Sequence, residues 1–519
     1  MKAAKKVFFH PQDLYSSLVV FIVALPLCLG IAHASGVTPL SGIVAGILGG
    51  IVVGLISKSN ISVSGPAAGL IVVLTTAITG LNGDLNLLFA SIVVAGIFQI
   101  IFGILRFGFL GEFVPSSVIK GMMAAIGFIL IFKQLPHLIG FDKDYEGDES
   151  FFQEDGHNTF SELLYSSTHS EAIFIGVTCL LILIFFESKY AKKNPLLNKI
   201  PALLLVVLVG VVLNQFSYLL GISEQLEGEH LIQLPNLIHS EEPIYFLLFH
   251  TSDFLNPLVL LNAFIIAVVA SLESLLNLEA ADKMDTQKRV TPPNRELIAQ
   301  GLGNTISGLF GGLPVTSVVV RSSANFFAGA KTKTSAILHG VWLLIAVVFF
   351  AKTLNLIPLA ALAAILIMVG YKLTKPSVFK SVWKAGLAQF LPFIATFLGV
   401  VFTDLLKGVV IGIIVGLYYV IRSNFHSAIR VTKGDNNDYL IRFRKEVSFL
   451  NKALLKRKLS EITPNSFVLI DATKCEFMDP DIIEIIRDFH TFAQTNNIDI
   501  EFNKNDWGEI PKHFQTISI

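Results

Sequence analysis

Two stretches of this 519-residue sequence combine small, proline-broken and hydroxyl-bearing residues in a pattern that can do chemistry. The first is Asn60-Ile61-Ser62-Val63-Ser64-Gly65-Pro66-Ala67-Ala68-Gly69, followed by a short apolar run to about residue 79. The second is Leu313-Pro314-Val315-Thr316-Ser317-Val318-Val319-Val320-Arg321-Ser322-Ser323, followed by another to about residue 328. Each reads as an extended run at membrane depth that passes into a short helix. Unpaired backbone in hydrocarbon is tolerated only where protein or a water-filled cavity covers it. A helix N-terminus placed there presents free N–H groups and about half a positive charge, so two aimed at one cavity make an anion site. Proline kinks are the plainer explanation for either break alone. The pair, seven spans apart, instead fits an inverted-repeat transporter whose substrate site lies near the midplane.

Two ionisable residues sharpen this reading. Arg321 lies inside an apolar span, where a cation costs several kcal/mol unless it has a partner or water. Its expected role is the fixed positive charge of the anion site, with snorkelling toward the face that carries Lys331 as the alternative. Glu273, within Ala270-Ser271-Leu272-Glu273-Ser274-Leu275-Leu276-Asn277, can bind a cation, carry a proton or pair with Arg321. Its bland alternative is a packing role through neighbouring hydroxyls. Lys120 and Lys133 read as interface anchors at the two ends of their span, and His33 as a satisfied polar residue. Gly42, Gly46, Gly49, Gly50 and Gly54 read as close-packing positions.

The elements that must position these groups follow from composition. The chain is 53% hydrophobic and 15% charged, with a mean hydropathy of +0.66, whereas soluble domains carry roughly a quarter charged residues. About fourteen spans emerge, near 14–33, 40–56, 66–79, 85–105, 113–132, 171–187, 201–220, 256–279, 294–310, 316–328, 335–352, 356–371, 388–404 and 407–423. The first is not a cleavable signal, because it contains Pro26 and lacks a small-residue cleavage site. With the N-terminus inside, the inner loops receive Lys2, Lys5, Lys6, Lys58, Arg106, Lys189, Lys192, Lys193, Lys199, Lys283, Lys288, Arg289, Arg295, Lys331, Lys333, Lys372, Lys375, Lys380 and Lys384. The outer loops receive little beyond Lys133, Lys143, Lys352 and Lys407, and are acidic at Asp142–Asp155, Glu224, Glu227, Glu229, Glu241 and Glu242. That partition places both the N-terminus and the tail in the cytoplasm of a bacterial inner membrane. From about Asp435 the composition is soluble. Tyr439–Phe443 and Ser466–Ile470 read as strands, and Ser448–Lys458 and Pro480–Gln494 as amphipathic helices, a small α/β domain. The expected division is a transmembrane domain over 1–430 and a cytoplasmic domain over 435–519.

The run Asn294-Arg295-Glu296-Leu297-Ile298-Ala299-Gln300-Gly301-Leu302-Gly303-Asn304, then Gly311-Gly312-Leu313-Pro314-Val315-Thr316 and Arg321-Ser322, resembles the SulP family of anion transporters and exchangers. So do Leu25-Pro26 with Ala34-Ser35-Gly36, Gly65-Pro66, and Leu359-Ala360-Ala361-Leu362-Ala363-Ala364-Ile365. The tail resembles the STAS domain of that family, with Val468-Leu469-Ile470-Asp471 as its central strand. The resemblance implies a multi-pass α-helical membrane protein of fourteen spans, a seven-plus-seven inverted repeat divided into core and gate domains, usually dimeric. It also implies elevator-like alternating access and an anion held between the starts of spans three and ten. Carried over position by position, that site comprises Leu27, Ile31, Ala67, Ala68, Val318, Val320 and Arg321. Glu273 and Asn277 would hold the coupling ion, a proton or sodium. The sequence departs from relatives where Val318 and Val320 replace serines, and where Glu273 and Asn277 replace the Asp and Thr of sodium-coupled bicarbonate members. Asp479-Pro480-Asp481 replaces the phosphorylatable serine region of stand-alone STAS proteins.

The expected function is therefore secondary transport or exchange of a small inorganic anion of the sulfate, bicarbonate or chloride class. A nucleobase-type permease of the same fold, and a membrane sensor or scaffold acting through its tail, are the alternatives. No nucleotide-binding loop, metal-ligand cluster or nucleophile–base constellation suggests an enzyme, and no cofactor is expected beyond the coupling ion. Expected partners are the anion, membrane lipid and a second copy of the chain. A formal net charge of zero gives no reason to expect nucleic acid.

Overall fold

The structure is a computed structural model describing residues 10–141, 169–194, 197, 202–219, 226–234, 250–427, 429–434 and 437–503. Lys2, Lys5, Lys6, Lys199, Asp142–Asp155, Glu224, Glu241 and Glu242, used above for orientation, lie outside the described residues. The chain divides into two compact units, Met1–Ile414 and Val415–Ile519.

Helices coincide one for one with the expected spans. They are α1 (Pro11–Ala34), α2 (Pro39–Ile56), α3 (Ala68–Gly80), α4 (Leu85–Ile104), α5 (Ser116–Leu138), α6 (Ser170–Glu187), α7 (Ala202–Leu219), α8 (Pro257–Met284), α9 (Pro293–Leu309), α10 (Val319–Phe327), α11 (Thr334–Leu354), α12 (Leu359–Leu373), α13 (Leu387–Phe402) and α14 (Leu405–Ser427). Most are apolar all round, as helices between lipid and protein must be. Others are not: α8, α9 and α10 among them carry polar residues on buried faces. A further helix, Pro376–Lys384, continues from α12.

Strand β1 (Ser64–Pro66) precedes α3 and strand β2 (Val315–Ser317) precedes α10. They pair antiparallel, with Ser64 opposite Ser317 and Pro66 opposite Val315. All six residues are buried. Pro66, which has no N–H to leave unpaired, ends its strand. Close packing around the pair depends on glycine. A Cβ added at Gly49 would stand 2.5 Å from the Ser64 carbonyl oxygen and 2.9 Å from the Gly65 nitrogen. Both are backbone atoms that cannot swing aside. The backbone there is a π-helical turn, Gly49–Val53, within α2.

The second unit contains a four-stranded sheet of β3 (Ile429–Lys433), β4 (Asp438–Val447), β5 (Phe467–Met478) and β6 (Asp499–Asn503), in that order. The β3–β4 pair is antiparallel, and β4–β5 and β5–β6 are parallel. Helices α15 (Lys452–Ser460) and α16 (Pro480–Thr495) supply the crossovers. Ile441, Phe443, Val468, Ile470, Leu455, Ile482 and Phe489 share its core. The outer strands β3 and β6 are absent from the sequence reading, because each has only five residues and three of those in β6 are exposed. Asp479 proves to be the N-cap of α16, its carboxylate accepting from the Asp481 amide at 3.0 Å with Pro480 at the first helical position. An aspartate there is a helix-start signal.

Gly49→Ala is expected to destabilise the first unit by about 1–3 kcal/mol through overpacking, seen as a lower melting temperature of the purified protein. Gly80→Ala, where an added Cβ meets nothing within 4 Å, is the control. Equal melting of the two variants would show that the α2–β1 contact is slack.

Candidate functional site

The β1–β2 pair has only three residues per strand, so most of its backbone groups look outward for partners. Side chains on α8 and α9 supply them. Asn304 donates from Nδ2 to the Val315 carbonyl at 3.0 Å and accepts from the Val315 amide, while Nδ2 also reaches Gln99 Oε1 at 2.5 Å. Asn277 Nδ2 donates to the Ser317 carbonyl at 2.6 Å, and the Ser317 amide donates to Ser274 Oγ at 3.4 Å. The Ser62 and Ser317 hydroxyls meet at 2.7 Å, Val318 N–H donates to the Val63 carbonyl at 3.0 Å, and Val63 N–H donates to Ser322 Oγ at 3.0 Å. The buried backbone of β2, and that of Val63 and Val318 beside the strands, thus finds partners.

The two helix starts differ from the strands. Ala67 caps the 3₁₀ turn that opens α3, and Val318 caps α10; both have extended backbone and neither cap residue has a side-chain hydrogen bond to the helix. The first intrahelical bond of α10 runs from Ser322 N–H to the Val318 carbonyl. The amides of Val319, Val320 and Arg321 therefore have no intrahelical acceptor.

Around these starts the structure gathers the expected residues in two groups. Leu27 shares an apolar cluster with Val320, and Val318 packs against it. Ile31 shares another in which Ala68 takes part. Leu27, Ile31, Ala67 and Val320 are buried, and Ala68 and Val318 half-buried. Asn277 is tied to β2 as described, with its Oδ1 unpartnered. Glu273, one helical turn away on α8 and 4% exposed, lies beside the start of α3: a Cβ built at Gly69 would be 2.9 Å from Glu273 Oε1.

Arg321 departs from both sequence alternatives in detail. It does not snorkel, because the whole residue is 0% exposed. Its guanidinium turns back onto β1, where Nη2 lies 3.3 Å from Cys28 Sγ and 3.5 Å from the Pro66 carbonyl oxygen. It packs directly against Gly65, where an added Cβ would stand 1.9 Å from Arg321 Nη1, so any side chain at residue 65 would displace the guanidinium. Nε and Nη1 have no hydrogen-bond partner, and among the described residues Arg321 forms no ion pair. Pairing with Glu273 is therefore not the arrangement found. Lys133 also differs from its reading as an interface anchor: it is 7% exposed, alongside buried Gln134 and His137 on α5.

Sequence reasoning missed a polar ladder on α9. Glu296 is 1% exposed, accepting from Ser57 Oγ at 2.5 Å and from Gln300 Nε2 at 2.9 Å, and Gln300 Nε2 also reaches Ser64 Oγ at 2.8 Å. Beside it lies a cavity of ≈ 10 Å³ lined by Ser57, Ser59, Ser62, Ser64, Glu296 and Lys333, about the size of one water. The signal was present: Glu296, Gln300 and Asn304 recur every four residues, one polar stripe along a helix. His339 was missed as well. It is fully buried on α11 with Nε2 unpartnered, behind Gly50 of α2.

Comparison with known proteins agrees with this architecture. The sequence pattern of the sulfate permease family matches residues 11–396. The "Putative sulfate transporter YvdB" of Bacillus subtilis is 30% identical over 413 residues, 79% of this chain and 73% of that protein. The bicarbonate transporter BicA of Picosynechococcus is 28% identical over 451 residues, 84% of this chain and 75% of that protein. The solved transmembrane domain of a cyanobacterial BicA superposes with a TM-score of 0.53 at 25% identity, covering 78% of this chain and 97% of that domain. Murine Slc26a9 in its inward-facing state shares the fold, with a TM-score of 0.66 at 16% identity over 96% of this chain and 86% of that one. The chain belongs to the sulfate permease family.

Proposed function

We propose that this chain is a secondary active transporter or exchanger of a small inorganic anion of the sulfate, bicarbonate or chloride class. It is not an enzyme. The observation that carries this reading is the pair of helix starts without side-chain caps, on strands paired to each other, with a fully buried and unneutralised Arg321 beside them. An uncompensated cation at membrane depth is costly, and an anion held between the two starts offsets it through the field of Arg321 and through free amides. The named activities of the relatives point the same way. Leu27, Ile31, Ala67, Ala68, Val318 and Val320 would shape an apolar, dehydrating wall around the anion, leaving backbone N–H groups as the donors. Alternating access would be elevator-like.

The coupling reading rests on Glu273. Its carboxylate lies at the α3 start, the end that would attract the substrate. An ionised carboxylate there opposes a second anion, whereas a neutral carboxyl does not. Proton and anion would then bind together, and the free-energy coupling is reciprocal. A second reading has its own observation. Asn277 Oδ1 is unpartnered one turn from Glu273, and an amide oxygen with a carboxylate is a plausible start for a sodium site. We further propose that residues 1–430 are the transport domain and 435–519 a STAS-like regulatory domain. The N-terminus and tail would face the cytoplasm of a bacterial inner membrane, and the working form would be a homodimer.

Three measurements test these points. Arg321→Ala should weaken anion affinity by about 10- to 100-fold, the worth of one charged hydrogen-bonding group, with expression retained; unchanged uptake kinetics in proteoliposomes would remove Arg321 from the site. Glu273→Gln should abolish accumulation driven by an imposed pH gradient while anion exchange persists. Sodium-stimulated uptake in the parent protein with no response to pH would replace the proton with sodium, and full gradient-driven accumulation by the Gln variant would exclude Glu273 from coupling. Truncation after residue 434 should change rate or membrane abundance and leave the ranking of sulfate, bicarbonate and chloride intact. A changed ranking would assign substrate choice to the tail.

A further inference from the structure

A second site lies away from the helix starts, between α5, α6 and α12. It is a cavity of ≈ 700 Å³, within the ~300–1,000 Å³ typical of small-molecule sites. Its floor is apolar, formed in part by Leu180, Ile184 and Ile367. Its rim carries Tyr371, Lys372, Lys375 and Glu187. The rim is asymmetric in charge. Lys372 is ion-paired to Glu187 and sits 5.3 Å from the Phe327 ring centroid, whereas Lys375 and the Tyr371 hydroxyl are exposed and bond no described residue. One ammonium and one phenol thus stand open above a greasy trough.

We propose that this cavity binds one anionic phospholipid, with an acyl chain along the floor and the phosphate held by Lys375 and Tyr371. Three features favour this occupant. The floor continues onto a face of α6 where Leu181, Ile184 and Phe185 are all exposed, which is a lipid-facing surface. The mouth lies at an interface, because the helix that follows Lys375, Pro376–Lys384, presents an exposed Trp383 with Lys380 and Lys384, the residue types that settle at headgroup level. The net charge at the rim is positive, which matches a single phosphate. A choline headgroup would bring a second ammonium beside Lys375, and a free phosphate would leave the apolar floor unused. Basic pockets between helices are an established way of holding anionic headgroups, at about 1 kcal/mol per lysine.

The test uses the full chain purified in detergent, with native mass spectrometry counting bound lipid during titration with phosphatidylglycerol, phosphatidylcholine or glycerophosphate. The unaltered protein should prefer phosphatidylglycerol over phosphatidylcholine by about five-fold, the equivalent of the ~1 kcal/mol that one lysine gains from net anionic lipid. Lys375→Gln should erase that preference and Lys375→Arg should keep it. Ile184→Trp, which obstructs the trough without changing charge, should reduce retention of both lipids. Lys380→Gln, a charge change outside the cavity, should leave the preference in place. Equal retention of the two lipids by the unaltered protein would overturn the proposal, as would a preference surviving Lys375→Gln or lost equally in Lys380→Gln. Glycerophosphate competing as well as the lipid would show a phosphate site that ignores the trough.

Discussion

A peptide group inside a bilayer has no water to fall back on, and the three-residue pair β1–β2 is where this chain meets that constraint most severely. The strands are short, so that the chain can turn at once into α3 and α10 and bring two helix starts together. Short strands in turn cannot satisfy their own outer edges. The polar side chains Ser274 and Asn277 of α8 and Asn304 of α9 complete that hydrogen bonding along β2, and Gln300 reaches the Ser64 hydroxyl of β1. Close approach of those helices, and of α2 with its glycines, follows from the same need. Much of the first unit can be read as support for six residues.

The support also explains how a fully buried arginine is tolerated. Arg321 is the third residue of α10, and its side chain folds back over the glycine of β1 instead of reaching for either membrane face. The soft thiol sulfur of Cys28 and one carbonyl oxygen are weak partners for a guanidinium, and no carboxylate among the described residues neutralises it. The charge is therefore felt at the helix starts. A carboxylate at the site of Cys28 would hold the same side chain more comfortably and would cancel its field. Position matters here more than contact, and a cysteine gives position without charge. Glu273 in turn approaches the α3 start from α8.

The sequence carried the helices, their order and both interruptions, because apolar length and proline-glycine breaks are local signals. Arg321 and Glu273 stood out for the same reason: charge is conspicuous against an apolar background. What stayed hidden depended on distant pairing. Nothing in Ser64-Gly65-Pro66 names Ser317 as a partner, and the Arg321 guanidinium lies against a glycine more than 250 residues earlier in the chain. Glu296 escaped because its span was read as a family signature and not as a helix with a polar face. The short edge strands β3 and β6 lack the apolar alternation that made β4 and β5 visible. In each case the missing information was tertiary.

The β1–β2 pairing also sets a schedule for biogenesis. Its two strands are separated by roughly 250 residues, which at about 5–20 residues per second of synthesis is a delay on the order of 10–50 s. For that interval Ser64, Gly65 and the α3 start have emerged from the ribosome while their partners on β2, α8 and α9 have not been made. An unpaired strand edge cannot rest in hydrocarbon. The newborn segment therefore lacks the partners that satisfy it until the second half of the chain has been made.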